Sequence, residues 1–318
     1  MFTSLGLLLA LAACSSPDAD DTTPSDTADP ACWDDLARGE ALTLASGFDA
    51  GTEGIAFVDG HLLVSFPSGV VEVDGAGTVG VSTPLDHALG LTPAVGGVLV
   101  ADPGEFTFDG SGDDGHLRYV SLVPGYSADL AGGMPNPNFV VATPWGEVLV
   151  SDDTGETLYA VDYSRGSGVV RVWLDGVPSP NGMAFSPDGS VLYVASTFVS
   201  DPPIWAIPVG TDATPGAPES IATLDTGVAP DGLAVDVNGG IWVAANLSGE
   251  IVHVDPADGS TTRLVHDLPT PASLAFGQGD AFDPCSIYAT SLYGDTVSRI
   301  ATGVQGLPVP QAVAPPDI

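Results

Sequence analysis

The sequence contains no lysine, and its six arginines stand against 41 aspartates and glutamates. The resulting formal net charge of −35 would repel nucleic acids and anionic membrane surfaces, so we exclude both as partners of the folded chain. We expect most of the acidic side chains to form a solvated surface that keeps the protein soluble. The same charge favours cations as partners.

Long apolar runs are also missing. The longest, LGLLLALAA (5–13), is too short for a membrane span, which needs about 20 residues. It ends in Leu-Ala-Ala-Cys, which resembles the lipobox of bacterial lipoproteins, so we predict a signal peptide over residues 1–14 and lipidation of Cys14. An ordinary secretory signal is the alternative, and either one implies export. We therefore predict a protein of the bacterial cell envelope that meets the membrane only through its lipid anchor.

Cysteine is scarce, with three residues in 318. If Cys14 carries a lipid, Cys32 and Cys285 remain, and in an exported protein they could form a disulfide that ties the two ends of the domain together. Two free thiols are the alternative. Residues 15–39 are predicted to be a disordered acidic tether and lead-in, and residues 306–318 a proline-rich tail.

The chain has no long window suited to an amphipathic helix. Glycine (40 residues) and proline (28 residues) make up about a fifth of the sequence, against about 12% in average proteins. This punctuation favours many short strands joined by turns. A hydrophobic content of 44% is ample for a core, which argues against global disorder.

The strands recur in units that are 36 to 50 residues apart. The units open, in order, at Glu53, Leu89, Asn138, Asn181, Asp231 and Ala272. Such a period with several strands per unit is typical of a β-propeller. We predict an all-β, six-bladed propeller over residues 40–305, in which the segment 40–49 supplies the outer strand of the last blade and closes the ring.

Four of the opening residues are polar, and a propeller would bring them to one place. The inner strand of every blade lines the central channel, so Glu53, Asn138, Asn181 and Asp231 would face one axis. Two carboxylates and two amides, without His or Cys, favour a divalent cation, above all Ca²⁺, with Mg²⁺ or Zn²⁺ as alternatives. Each residue alone could be an ordinary turn residue. Their recurrence at equivalent positions favours the metal site.

Two stretches carry a family resemblance: PNGMAFSPDGSVLYVAS (180–196) and PDGLAVDVNGGIWVAAN (230–246). They resemble the gluconolactonase, regucalcin (senescence marker protein) and luciferin-regenerating-enzyme superfamily of six-bladed propellers, which is related to paraoxonase and diisopropyl-fluorophosphatase. The resemblance covers the chain from about Glu53 to Ile300.

This resemblance implies a role for each polar opening residue. Glu53, Asn181 and Asp231 match the metal ligands of the family. Asn138 matches the residue that contacts substrate or metal-bound water, and that is a direct ligand in some relatives. The resemblance also implies metal-assisted hydrolysis of a lactone or related ester, in which the cation polarises the carbonyl and Asp231 acts as base or nucleophile.

Three positions depart from the family pattern. Phe139 stands where sugar lactonases often have Asp, Asn136 where some relatives have a substrate-binding Arg, and Leu89 where paraoxonase-like members have His. A sugar lactone is therefore not favoured over other lactones or esters. Nearby His87 is predicted to be a loop histidine, with a base at the channel mouth as the alternative.

A different class of function stays open. The chain could be a non-catalytic lipoprotein whose metal only rigidifies the hub and whose long insertions, 102–118 and 196–205, bind a partner. The same insertions could form the rim of an active site. For the hydrolase we expect a monomer whose partner is a small-molecule lactone or ester.

Overall fold

A computed structural model describes residues 32–109, 111–166 and 168–316. The predicted signal peptide and Cys14 lie outside these residues, so the lipid anchor and the envelope location stay predictions. The described residues form 24 β-strands and no α-helix. Accordingly, they include no helix long and apolar enough to cross a membrane.

The strands follow one another in short, regular steps. Those up to the end of the third blade are β1 (Ala41–Ser46), β2 (Ile55–Val58), β3 (His61–Phe66), β4 (Gly69–Val73), β5 (Thr83–Pro84), β6 (Leu91–Ala94), β7 (Gly97–Asp102), β8 (Gly115–Ser121), β9 (Ser127–Met134), β10 (Pro137–Ala142), β11 (Val148–Asp152), β12 (Thr157–Asp162) and β13 (Val169–Asp175). The others are β14 (Pro180–Phe185), β15 (Val191–Ser196), β16 (Pro203–Pro208), β17 (Glu219–Thr223), β18 (Pro230–Val235), β19 (Ile241–Ala245), β20 (Glu250–Val254), β21 (Thr261–Val265), β22 (Pro271–Phe276), β23 (Ser286–Ser291) and β24 (Thr296–Ala301).

These strands form six four-stranded antiparallel sheets, which confirms the all-β, six-bladed propeller. In the first five blades, four consecutive strands lie side by side from the inner strand to the outer one. The sixth blade consists of β22, β23, β24 and, as its outer strand, β1. In that pairing Ala41 lies opposite Ile300, so the last blade combines strands from both ends of the domain.

The apolar core is divided among the blade interfaces. Six clusters of buried hydrophobic residues occur, and each draws its members from two neighbouring blades. Between the first and sixth blades, the ring centroid of Phe57 lies 4.9 Å from that of Phe282 and 5.3 Å from that of Tyr288, in edge-to-face contacts. Such contacts stabilise the interface beyond simple area burial. Neighbouring blades are therefore held together by apolar contacts between their flat faces.

The lead-in before β1 is fixed to the sixth blade. Cys32 and Cys285 form a disulfide. Arg299, which is 5% exposed, donates to both carboxylate oxygens of Asp35 at 2.7 and 2.8 Å and to Asp283 at 3.0 Å. A buried guanidinium needs such partners because an unpaired charge in the interior is costly. Cys32 and Asp35, within the predicted lead-in, are thus attached to the sixth blade.

A β-bulge marks the start of the inner strand in four blades. In the fourth blade the register between β14 and β15 shifts between Pro180 and Met183, so that Asn181 and its neighbour fall outside the regular ladder. The same shift occurs in the third, fifth and sixth blades, after Pro137, Pro230 and Pro271. Bulges re-aim side chains next to functional sites. In the third, fourth and fifth blades, the bulge therefore lets the polar opening residue depart from the regular alternation of side chains along the strand.

Glycine follows the opening residue in four blades, and two of these glycines show why. A Cβ added at Gly182 would lie 2.7 Å from the Cα of Gly232 and would overlap the carbonyl oxygen of Asp231. A Cβ added at Gly232 would lie 2.6 Å from the Cα of Ser273. No side chain tolerates such distances, so glycine lets neighbouring inner strands meet backbone to backbone. This close approach brings the opening residues together.

The C-terminal segment 306–316 crosses the opposite end of the channel. Its backbone is hydrogen-bonded to the fifth blade through Leu307, to the second through Ala312 and to the third through Val313. Residues 307–310 and the inner strands line a narrow, mainly apolar cavity of about 70 Å³ within the channel. The proline-rich tail is therefore packed against the propeller.

We expect Gly182→Ala to destabilise the protein by about 1–3 kcal/mol, the usual range for overpacking a well-filled interior. The methyl group would force β14 and β18 apart at the hub. Gly80→Ala is the matched control, because a Cβ at this exposed turn meets nothing nearer than Glu72 O at 3.2 Å. Denaturant unfolding of both variants checks the prediction, and equal stabilities would contradict it.

Candidate functional site

The four polar opening residues lie buried at the starts of the inner strands. Their exposed fractions are 8% for Glu53, 7% for Asn138, 3% for Asn181 and 7% for Asp231. Asn138, Asn181 and Asp231 are the second residues of β10, β14 and β18, and Glu53 lies just before β2. The charge of Glu53 raises the pKa of Asp231, so residues 178 positions apart in sequence share one electrostatic environment.

A third carboxylate, Asp153, belongs to the same site and was not predicted. It follows β11, is 3% exposed, and its Oδ2 accepts a hydrogen bond from Asn138 Nδ2 at 3.0 Å. Its charge raises the pKa of both Glu53 and Asp231. The site therefore contains three carboxyl groups, and its formal charge with all of them ionised is one unit more negative than the sequence suggested.

The fifth blade repeats this arrangement. Asn246, also 3% exposed, follows β19 and donates from Nδ2 to Asp231 Oδ2 at 3.2 Å. The opening residue and its partner are 15 residues apart in both blades. That equal spacing was the sequence signal that could have revealed Asp153 and Asn246. The position after the second strand thus supplies a second layer that orients the opening residues.

Burial raises the pKa of all three carboxyl groups. The pKa of Glu53 rises from its ordinary 4.5 to about 8, through burial first and the charge of Asp153 second. The pKa of Asp153 rises from 3.8 to about 7, through burial and the charge of Asp152. Burial and the other two charges raise the pKa of Asp231 well above 3.8, and the hydrogen bond from Asn246 opposes them in part. Without a cation, the fold favours the protonated carboxyls.

Several oxygens of the site have no hydrogen-bond partner among the described residues. Glu53 Oε2, Asp153 Oδ1 and Asn181 Oδ1 are buried without a hydrogen bond. The side-chain ion pairs of the arginines in the described part of the chain are all made with other acids, and the sequence has no lysine. Unpartnered buried oxygens are costly, and a cation would remove that cost.

The donor set fits a hard divalent cation. Among residues 32–109, 111–166 and 168–316, the acidic, His and Cys side chains alone form no compact three-residue metal cluster. Amide oxygens must therefore complete the set, and the free Oδ1 of Asn181 is available for this. Carboxylate and amide oxygens are the ligands that Ca²⁺ prefers, with Mg²⁺ as the smaller alternative. The predicted residues, joined by Asp153, are compatible with this chemistry.

Two other residues considered in the sequence, His87 and Asn136, are not hydrogen-bonded to this cluster in the described chain. His87 is exposed on the loop between β5 and β6, with a left-handed φ of 57°. Asn136 is fully buried, where its Oδ1 accepts from Thr107 N at 3.0 Å and its Nδ2 donates to Thr107 O at 2.7 Å. Asn136 therefore holds the long loop of the second blade in place, a structural use of the position where some relatives bind substrate.

Comparison with known proteins identifies relatives of the chain. The family described as "SMP-30/Gluconolactonase/LRE-like region" matches residues 129–289, which is about half of the chain. The pentonolactonase XacC of Haloferax volcanii is 34% identical over 164 residues. That match covers 50% of this chain and 54% of the relative, so the chain spans about half the length of this curated relative.

Solved structures share the fold at low sequence identity. A gluconolactonase from Xanthomonas campestris is 20% identical, with a TM-score of 0.66 over 82% of this chain and 88% of its own. A calcium-binding protein, regucalcin, from Agrobacterium tumefaciens is 19% identical, with a TM-score of 0.67 over 85% and 96% of the two chains. At this identity the likeness establishes the propeller fold.

We expect the metal-free protein to lose stability as pH rises from about 5 to about 8. Because the folded-state pKa values of Glu53 and Asp153 are raised, the unfolded chain binds fewer protons across this range, and ionisation disfavours the fold. The loss should be on the order of 3 kcal/mol. Saturating Ca²⁺ should abolish it, since the cation binds the ionised carboxylates.

Denaturant unfolding between pH 5 and 8.5, with chelator or with Ca²⁺, measures this effect. Glu53→Gln is the control, because it removes one of the titrating groups and should reduce the pH dependence of the metal-free profile. A metal-free wild-type protein whose unfolding free energy is constant over this range would contradict the prediction.

Proposed function

Because the chain belongs to the SMP-30/gluconolactonase/LRE-like family, we propose that it is a metal-dependent hydrolase of lactones or related esters. The observation that carries the proposal is the buried group of three carboxylates with unpartnered oxygens and no basic partner among the described residues. The lactonase names of its relatives support the substrate class. The calcium-binding description of regucalcin supports the choice of Ca²⁺.

Glu53, Asn181 and Asp231 would hold the cation, with Asn138 beside it. When bound, the cation would polarise the substrate carbonyl and stabilise the negative charge that develops on its oxygen. Asp153 is a positioning residue in this scheme, because it accepts a hydrogen bond from Asn138 Nδ2 and thereby fixes the orientation of that amide. The Oδ1 of Asn138 can then orient a water molecule or the substrate.

Asp231 is the candidate general base. Asn246 donates to its Oδ2, and the carboxylate would accept a proton from water. The water oxygen would bond to the carbonyl carbon, and the ester C–O bond of the ring would then break. The proton on Asp231 would pass to the departing alkoxide, which leaves a hydroxy acid as product.

We expect Asp231→Asn to weaken Ca²⁺ binding by at least tenfold, about 1.4 kcal/mol, because one carboxylate facing the cation is lost. Hydrolysis should fall further, since the base is lost as well. The metal-free variant should be at least as stable as the wild type, because it removes a repelling charge. Calorimetric Ca²⁺ titration and metal-free melting curves measure these effects.

Asp258→Asn provides the matched control for this variant. Asp258 lies exposed in the turn between β20 and β21, in the same blade but at the end away from the site, and the substitution changes the net charge equally. It should leave Ca²⁺ affinity unchanged. Equal Ca²⁺ affinities of Asp231→Asn and the wild type would remove Asp231 from the site.

The activity itself is tested on a panel of lactones, aryl esters and phosphotriesters, each assayed with Ca²⁺ and with chelator. We expect turnover of lactones or esters that disappears with the metal and returns when Ca²⁺ is restored. Tight Ca²⁺ binding without turnover of any of these classes would reject the hydrolase and favour the non-catalytic propeller.

A further inference from the structure

Apolar side chains surround the end of the propeller that carries the carboxylates. Each inner strand begins at this end, so the loops between the second and third strands of the blades also lie there. Four of these loops expose large apolar residues, which we call the apolar rim: Phe106, Phe108, Phe198, Leu247 and Tyr293. The rim includes every exposed phenylalanine of the described chain.

Hydrogen bonds place the rim of the fourth and fifth blades beside the site. Phe198 N donates to Ser179 Oγ at 2.8 Å, two residues before Asn181. Leu247 directly follows Asn246, whose amide donates to Asp231. Phe198 is therefore hydrogen-bonded to a residue two positions from Asn181, and Leu247 is adjacent to the hydrogen-bond partner of Asp231.

The second and sixth blades add aromatic rings in equivalent places. Phe106 and Phe108 flank Thr107, whose backbone is held by Asn136, and their ring centroids lie 5.1 Å apart. Tyr293 N donates to Thr270 Oγ1 at 2.9 Å, at the start of the sixth inner strand. Members of the rim thus come from four different blades and lie at the same end of the propeller.

The rim residues are strongly exposed, with fractions of 83% for Phe108, 78% for Tyr293, 61% for Leu247 and 59% for Phe198. Other apolar residues are as exposed elsewhere, among them Val81, but the rim residues are gathered at one end of the propeller. Single exposed apolar residues are common, whereas a group at the end that carries the candidate site favours an apolar ligand there.

The polar groups near the rim disfavour an anionic ligand. The loop of the second blade carries exposed carboxylates at Glu105, Asp109, Asp113 and Asp114. Asn136, the nearby amide that could have served a polar substrate, is engaged with the backbone of Thr107. A sugar acid would therefore meet like charge, whereas a neutral alkyl or aryl group would meet apolar surface.

We propose that the apolar rim selects neutral lactones or esters with an apolar substituent, and that the rim binds this substituent while the carbonyl faces the carboxylate site. This inference rests on the proposed hydrolase function. It assigns specificity to Phe198 and Leu247, with the aromatic rings of the second and sixth blades completing the surface.

The test measures kcat/KM of the Ca²⁺-loaded protein on γ-lactones with alkyl substituents of increasing length, and on glucono-δ-lactone. We expect kcat/KM to rise with chain length, up to about fourfold for each fully buried methylene, equivalent to about 0.8 kcal/mol. Phe198→Ser and Leu247→Ser should each lower the ratio of kcat/KM for long-chain over unsubstituted lactone by about fivefold or more.

Val172→Ser is the matched control, because Val172 is 58% exposed on β13, the outer strand of its blade, and should leave the ratio unchanged. Independence from chain length, or a preference for glucono-δ-lactone, would overturn the inference while leaving the hydrolase intact. Rim variants that abolish self-association of the protein without changing the kcat/KM ratio would also overturn the inference.

A binding arm separates this inference from the proposed activity. Alkyl-substituted lactams resemble the lactones but resist hydrolysis, and their Kd can be measured calorimetrically whether or not the protein turns over any substrate. A Kd that falls with chain length, and rises in Phe198→Ser, supports the rim even if no hydrolysis is found. A Kd independent of chain length overturns it.

Discussion

Three buried carboxyl groups, Glu53, Asp153 and Asp231, form the constraint on which the rest of the hub depends, because they share one electrostatic environment and have no ion pair with a basic residue in the described chain. Their mutual repulsion would push the inner strands apart, so the strands must be held by contacts elsewhere. Six apolar interfaces between neighbouring blades and the pairing of β1 with β24 supply those contacts. The glycines after the opening residues then allow the backbones of neighbouring inner strands to approach closely. At this separation the charge of Glu53 raises the pKa of Asp231. Rigidity at the blade faces thus sustains an unfavourable arrangement at the axis, as is common where a site is prepared for a ligand.

The site is built in two layers that come from different parts of each repeat. The first layer is released from the sheet by a bulge at the start of the inner strand, as at Asn181. The second layer follows the second strand and includes Asp153 and Asn246, which fix the orientation of Asn138 and Asp231. The carboxylate of Asp153 in the third blade and the amide of Asn246 in the fifth blade both orient the opening residue of their own blade. Exchanging these two residue types adjusts the charge of the site while the backbone stays constant, so the second layer offers a way to set the charge of the hub.

The sequence was sufficient for the fold because the fold is periodic, and the same periodicity is the basis on which the first layer of the site is predicted. The repeat spacing predicted the six blades, and Pro-Asn and Pro-Asp at equivalent positions predicted that Asn138, Asn181 and Asp231 would converge. Asp153 was missed because its contact with Asn138 joins two strands, and a pattern read along one strand does not reveal it. The apolar rim was missed for a related reason. Phe198 and Leu247 are unremarkable in their own loops, and they become a surface only when the ring brings four loops to one end.

The C-terminal segment crosses the far end of the channel, where residues 307–310 line its cavity. In a hydrolase of the proposed kind, a small molecule would therefore enter and leave by the mouth beside the carboxylates, so entry and exit would compete for one path. Hydrolysis of a neutral lactone would create an anion inside that pocket, next to ionised carboxylates and below a loop with exposed acidic residues at its tip. The same acidic surface that leaves a neutral molecule free to enter would then drive its charged product outward. In such a hydrolase, the tail would therefore make the negative charge of the protein a means of product release.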